Sequence, residues 1–395
     1  MSHDSERVRL ARIALGHVVE PGSRDLGEAV AEVGVVAALR RLMAGTIPGR
    51  VCAAAAARLR DLDPYRVGRM ALRRADRLGV RILTPEDPEW VSRLADLVTI
   101  GREGRAPVDR ETYPPHCLWV RGPLRLDEAC DRSVAVVGAR ASTSYGNHVA
   151  GELGYGLADR GWTVVSGGAF GIDAAAHRGA LAAGGTTIAV LACGIDRPYP
   201  VSHTSLFERI SDEGLLVSEW PPGADPHRRR FLVRNRVIAA LTRGTVVVEA
   251  NRRSGARFTL GRARLLRRHC LAVPGPVTSA MSVGCHDELR TEGTILVTDA
   301  AQVIEAVGQI GDDLSPWPGP GAATPLDTLT DLQAQVLDGV RPRKTLTAEE
   351  IAAATGVSAR DARRTLPTLE EMGFVLAHGS GYRLAARGRP GPGDA

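Results

Sequence analysis

The chain has 395 residues, a formal charge of +5, 44 % apolar residues and only 4 % aromatics. With a mean hydropathy of −0.08 and no apolar run of about 18 residues, these values exclude a helical membrane-spanning protein and a disordered chain. Six cysteines (Cys52, Cys117, Cys130, Cys193, Cys270, Cys285) form no CxxC pair, which excludes a zinc ribbon and a disulfide-stapled secreted domain. The opening stretch shows no apolar signal core. A reduced cytoplasm is the simplest compartment, and no membrane partner is expected.

Residues 5 to 75 read as three short helices (VRLARIALGHVV, GEAVAEVGVVAALRRLMAG and RVCAAAAARLRDL) punctuated at Glu20-Pro21-Gly22 and Ile47-Pro48-Gly49. Gly and Pro at those points end helices. This predicts a small helical domain over 1–75. Residues 76–124 read as an extended, Pro-rich connector. From Ser133 the pattern changes. Seven apolar runs (133–138, 162–168, 186–194, 215–219, 244–250, 269–275 and 294–297) alternate with helical stretches. Continuous apolar runs are what strands buried on both faces require, so the alternation predicts βαβ units around a mostly parallel sheet over 76–310. Residues 311–327 are rich in Pro and Gly and read as a linker. Three helices follow within 328–387, and FVLAHGSGYRL closes that segment as a hairpin around Gly379-Ser380-Gly381. That order resembles a winged helix. Pro367 falls inside the third helix and is expected to break or kink it. The tail 388–395 is expected to be disordered.

Ligands of an open α/β sheet bind outside the carboxyl ends of its strands, and the distinctive residues gather there. The first of the seven strands runs into Gly138-Ala139-Arg140, and a helix opens at Thr143. This is not GxGxxG, so a dinucleotide fingerprint is not supported. An arginine and hydroxyls at a helix N-terminus fit an anion site as well as they fit a capped turn. The second strand ends in Ser166-Gly167-Gly168-Ala169-Phe170-Gly171. Glycines let backbone N–H groups approach a phosphate, and that reading is preferred over a turn alone. Asp173 and His177, four apart on the next helix, are expected to share a local hydrogen bond and not to act as a catalytic pair.

Between Arg228 and Arg268 lie thirteen arginines and one acid, Glu249. That is +12 (13 − 1), which leaves −7 for the rest of the chain (5 − 12). Such a surplus points to a polyanion-binding face. Within it Phe231 precedes Arg234, Asn235 and Arg236. Phe231 is either a core residue or a platform for a base, and stacking contributes about 1–3 kcal/mol per base whatever the sequence. Arg257 follows the fifth strand in Ser254-Gly255-Ala256-Arg257. GxSxG, HExxH and Walker A patterns are absent, and the sole lysine, Lys344, lies far from the glycine-rich loop. No catalytic residue, metal or cofactor is implied.

Five motifs occur in order: Gly138-x-Arg140-x-x-Thr143-x-Tyr145-Gly146, Ser166-Gly167-x-Ala169-x-Gly171-Ile172-Asp173, Phe231-x-x-Arg234-Asn235-Arg236-x-Ile238, Val248-Glu249-Ala250 with Ser254-Gly255 and Thr259, and Val273-Pro274-Gly275. Together they resemble the DNA-processing protein A family (DprA/Smf), over residues 80–305. The resemblance implies an extended Rossmann-like fold, flanked by a helical domain (SAM or helix-hairpin-helix-like) and a winged helix. It implies a non-catalytic single-stranded DNA-binding protein that protects incoming DNA and loads the RecA recombinase during natural transformation, acting as a homodimer. By motif position Arg140 would contact backbone phosphate. Ser166, Gly167, Gly168, Ala169 and Phe170 would line a phosphate pocket. Arg234, Asn235 and Arg236 would extend the basic groove. Gly138, Thr143, Gly171, Phe231 and Arg257 complete the candidate DNA-binding set. Apolar stretches near 270–297 are candidates for the dimer contact. The alternative is a nucleotide phosphoribohydrolase-like enzyme on the same fold, although the loop at Ser166 lacks that family's Thr and trailing Glu. A sequence-specific regulator is a third reading, weakened by the near-neutral charge of 328–387.

Overall fold

The computed structural model describes residues 3–59, 62–103, 111–309, 325–342 and 344–385. The chain divides into two compact units, Met1–Ser315 and Pro316–Ala395. Most of the expected linker (311–324) and the tail (388–395) lie outside the described residues.

A nine-stranded sheet organises the first unit. Its strands are β1 (Arg81–Leu83), β2 (Leu118–Arg121), β3 (Ser133–Val137), β4 (Thr163–Ser166), β5 (Thr187–Leu191), β6 (Leu215–Ser218), β7 (Gly244–Val247), β8 (His269–Ala272) and β9 (Thr294–Leu296). They lie in the order β1-β2-β6-β5-β4-β3-β7-β8-β9. The seven strands expected from the apolar runs are β3 to β9, and all pair in parallel. Every residue of β3 to β7 is buried, which is why those segments carry no polar alternation. The connector 76–124 is not simply extended. It supplies β1 and β2, which pair antiparallel with each other, and β2 pairs antiparallel with β6. Leu118, Trp119 and Val120 are fully buried, so a short apolar run among prolines is an outer strand of the sheet.

The chain winds from β3 through β4 and β5 to β6, then returns to the other side of β3 with β7. That reversal makes the carboxyl ends of β3 and β7 the switch point of the sheet. Around it pack α6 (Leu97–Glu103), α7 (Leu126–Asp131), α8 (Ser144–Asp159), α9 (Ile172–Ala182), α10 (Thr204–Glu213), α11 (Arg228–Leu241), α12 (Gly255–Leu265), α13 (Val283–Leu289) and α14 (Ala300–Val307).

Among the described residues, five helices, not three, precede β1. They are α1 (His3–Val18), α2 (Arg24–Val33), α3 (Val35–Met43), α4 (Val51–Leu59) and α5 (Pro64–Arg77). The one helix expected across Gly34 is two, because Gly34 adopts φ 77, a left-handed conformation that no helix continues. The fifth helix starts at a signal present in the sequence: the Asp63 carboxylate accepts the Arg66 N–H at 2.8 Å, and Pro64 occupies the first turn. Of these, α1 and α5 share a core with the sheet, Ile13, Ala71 and Ala75 packing in one cluster with Trp119, Leu191 and Leu216, while Leu26, Leu39 and Leu59 of α2 to α4 pack with Leu15 in a core of their own.

In the second unit α15 (Asp331–Asp338), α16 (Ala348–Thr355) and α17 (Ala359–Glu371) enclose Val336, Ile351, Leu366 and Leu369. The hairpin forms as expected, β10 (Val375–His378) pairing with β11 (Gly381–Leu384). Pro367 does not break α17, which is helical on both sides of it. Proline removes one backbone donor, and burial of Ala362, Thr365, Leu366 and Leu369 along one stripe holds the helix together.

Candidate nucleic-acid interface

The segments that follow β3, β4 and β5 carry Arg140, Phe170, and Tyr199 with His203, and the first turn of α11, after β6, carries Phe231 on the same rim. The Arg140 guanidinium stands 5.0 Å from the centroid of the Phe231 ring. Tyr199 meets the same ring edge-on at 5.9 Å. Phe170, 47 % exposed, meets His203 edge-on at 4.7 Å. Phe231 is half-buried, so it is neither a pure core residue nor a free platform. From this rim an open groove of about 770 Å³ runs between α8 and α9, lined by Arg140, Asn147, Tyr155, Phe170, Arg178 and His203. Glu152 is the one carboxylate in its lining. Among the described residues Arg140 and Arg178 are exposed and have no carboxylate partner. A cation unpaired beside an aromatic face is equipped for a phosphate next to a base.

The anion positions that the sequence suggested are partly filled by the chain itself. Thr143 caps α8, its hydroxyl oxygen accepting the Gly146 N–H at 3.2 Å. The same hydroxyl donates to the Glu249 carboxylate at 2.6 Å, and the Thr143 N–H donates to it at 2.9 Å. A carboxylate therefore occupies the N-terminus of α8, where free amides favour negative charge. The glycine-rich loop is held in a similar way. The N–H groups of Gly167 and Ala169 donate to Asp173 Oδ2 at 3.1 and 3.4 Å. Burial pushes the Asp173 carboxyl up, while Arg234 and these amides pull it back.

Arg234 lies beneath that loop and not on the groove. It is 4 % exposed, and Nη1 donates to the Val190 carbonyl. Burial lowers its pKa to about 10 against the opposing pull of Asp173. A Cβ on residue 167 would fall 2.2 Å from Arg234 Nη1, so the loop rests on the guanidinium only because Gly167 has no side chain. Gly168 and Gly171 carry the loop through positive φ values of 68 and 78. Ser166 points inward, its hydroxyl donating to the Val136 carbonyl at 2.6 Å. Gly138 packs against Ile172.

The structure does not bring Arg236 to the rim. It is fully buried and paired through two 2.8 Å contacts with the Glu219 carboxylate, itself 4 % exposed. Burial pushes the Glu219 carboxyl up and the facing guanidinium draws it back. Asn235 is half-buried, with Nδ2 donating to the Gly255 carbonyl at 3.5 Å. Arg257 pairs with Glu288 at 2.7 Å and donates to the Arg252 carbonyl at 3.0 Å. Nor do Asp173 and His177 share a hydrogen bond. The Thr187 hydroxyl donates to the Val164 carbonyl at 2.8 Å, so its oxygen accepts from His177 Nδ1 at 2.7 Å. Burial lowers the His177 pKa to about 3.

The basic surplus of 228–268 is largely neutralised in three dimensions. Among the described residues, carboxylate partners are found for at least eight of its thirteen arginines (229, 230, 236, 243, 252, 257, 264 and 268). One continuous basic face does not form from that segment. Arg178, Tyr199 and His203 were missing from the sequence-derived set. Arg178 is the outward residue of α9 between buried His177 and Gly179, and Tyr199 belongs to the strand-end loop after β5, which the rim rule covers.

Residues 81–308 match the DNA recombination-mediator protein A family. The chain is 44 % identical over 381 residues to a DNA processing protein DprA of Mycobacterium tuberculosis, covering 95 % of this chain and 94 % of that one. It is 43 % identical over 190 residues to DNA processing protein DprA of Streptococcus pneumoniae, covering 48 % and 66 %. The X-ray structure of DNA processing protein A from Streptococcus pneumoniae superposes with a TM-score of 0.60 at 28 % identity, covering 77 % of this chain and 98 % of that one.

Proposed function

Because this chain belongs to the DNA recombination-mediator protein A family, we propose that it binds single-stranded DNA along the rim formed by Arg140, Phe170, Tyr199 and Phe231, without catalysis. The observation that carries this reading is the unpaired Arg140 guanidinium 5.0 Å from the Phe231 ring. A phosphate on Arg140 places the neighbouring base near an aromatic face, and a duplex with its bases paired cannot use that face. Arg178 continues the positive lining along the groove. Ser166, Arg234 and Arg236 support the rim from within. Phosphate contacts position a strand without reading it, so sequence preference is slight and affinity falls with salt as counterions are released.

The cellular role that fits is protection of incoming DNA and loading of RecA during natural transformation, in the cytoplasm. Among the described residues no helix is long and apolar enough to cross a membrane. Self-association is assigned to the β9 edge, where Ile295 and Leu296 are exposed. The second unit is assigned as a winged helix on its three helices and hairpin. A phosphoribohydrolase reading has nothing in its favour here, since the carboxylate nearest the glycine-rich loop, Asp173, is spent on the loop's own amides.

Fluorescence anisotropy with labelled single-stranded and duplex oligonucleotides tests the binding, and a RecA filament-loading assay tests the role. Arg140→Glu is expected to lose most single-strand affinity with unchanged thermal unfolding. Full retention of affinity in that variant contradicts the reading.

A further inference from the structure

A second cavity, of about 450 Å³, opens between the N-terminal helices and the same rim of the sheet. Its wall holds four arginines and one carboxylate: Arg58 and Arg74 from α4 and α5, Arg197 from the loop after β5, Arg230 at the start of α11, and Glu20. The lining is thus +3 (4 − 1) with His17 neutral. Arg58 and Arg230 both bond Glu20, but Arg58 is 38 % exposed and its bonds to Glu20 and the Val18 carbonyl leave others of its five N–H donors for an anion. All three nitrogens of Arg230 are engaged, two on Glu20 and the third donating to the Asp225 carbonyl at 2.7 Å. Arg74 spends one nitrogen on Asp196 at 3.0 Å, and Arg197 one on Asp225 at 3.0 Å. Both side chains are about half exposed, so each keeps donors for an incoming anion.

The position of this cavity decides what anion it takes. Arg197 is two residues from Tyr199, and Arg230 adjoins Phe231. Tyr199 and Phe231 are the two rings in contact at 5.9 Å. One aromatic pair therefore separates the cavity from Arg140. A strand seated on Arg140 and carried across Phe231 and Tyr199 arrives next at Arg197 and then at Arg74. Phosphate repeats along a strand, and a small free anion has no reason to sit in line with an aromatic platform.

We infer that this cavity is a second phosphodiester subsite on the single-strand path, to which the N-terminal helices contribute Arg74 and Arg58. The inference rests on the reading of the rim as the single-strand site. It gives the helices a part in nucleic-acid binding: they lengthen the site.

The test uses the full chain and two oligothymidylates, of about five and about fifteen nucleotides, within the range of single-strand site sizes. Arg58→Gln/Arg74→Gln is expected to bind the short strand within twofold of the parent. It is expected to bind the long strand about tenfold more weakly, with a log–log salt slope shallower by about 1.4, or about 0.7 for each phosphate released. Arg197→Gln, which removes only an exposed pair, is expected to lose about half of that slope change and serves if the double variant unfolds early. Unchanged long-strand affinity and slope in both variants, with thermal unfolding unaltered, overturn the subsite. So does inorganic phosphate raising the unfolding temperature of the parent but not of the double variant, while neither variant weakens the long strand: the cavity then takes a free anion. Arg140→Glu separates the two claims. If it binds the short strand like the parent, the rim reading itself fails, whatever the cavity does.

Discussion

The Arg236–Glu219 pair offers a sharp test of where the structure departs from a simple basic groove. The perturbation is Arg236→Met. The guanidinium is 0 % exposed and the carboxylate 4 %, joined by two contacts of 2.8 Å. Removing one partner leaves a buried charge without its counterpart, which costs about 3–5 kcal/mol. Replacing both, as Arg236→Met/Glu219→Leu, removes the desolvation penalty along with the attraction and is expected to restore most of the loss. Urea denaturation followed by circular dichroism gives the free energies, and anisotropy on a single-stranded oligonucleotide gives binding in native buffer. The expected pattern is a single variant with a lower midpoint and a double variant near the parent, both binding DNA normally while folded. Arg236→Met with an unchanged midpoint and lost DNA affinity would refute the argument, because it would put Arg236 in contact with DNA.

Three other outcomes follow from named contacts. Phe231→Ala is expected to weaken single-strand binding by about 1–3 kcal/mol for each base it stacks, equally for oligothymidylate and oligoadenylate; a loss confined to one base type, seen by anisotropy, contradicts stacking. Gly167→Ala puts a Cβ 2.2 Å from Arg234 Nη1, and the overpacking is expected to cost about 1–3 kcal/mol in urea denaturation. His177 stays neutral in the folded chain down to about pH 3, whereas the unfolded chain takes its proton near the ordinary 6.5. Stability is therefore expected to fall with decreasing pH across that window by as much as about 1.4 kcal/mol per pH unit from this residue. His177→Gln removes that part of the slope, and identical pH profiles of unfolding free energy for parent and variant contradict it.

The sheet was legible because its strands are buried on both faces. Val134 to Val137 and Val164 to Val165 leave no polar residue to disguise the pattern. The outer strands β1 and β2 were not legible, because two or three apolar residues beside an arginine look the same in a loop. Gly34 and Asp63-Pro64 show that helix boundaries turn on single residues. At the site, chain position alone placed Arg140 and Phe170 at strand ends, and both line one groove; Phe231, read near the start of the basic helix, stands beside Arg140. It did not separate Arg234 and Arg236 from Arg140. All three are arginines in matching motifs, but two face inward, and the reason is the partner each finds far away in sequence: Val190 and Asp173 for one, Glu219 for the other. The dense run of arginines misled for the same cause. Local charge says nothing about the acids that folding brings against it, such as Glu20, Glu111 and Glu288.

Photo-crosslinking with an oligonucleotide carrying 5-iododeoxyuridine measures most directly where the strand lies. Mass spectrometry of the digested complex is expected to find the label on peptides holding Phe170, Tyr199 and Phe231, and to find it lost in Arg140→Glu. Crosslinks confined to residues 325–385, or unaffected by Arg140→Glu, would show that the DNA travels elsewhere.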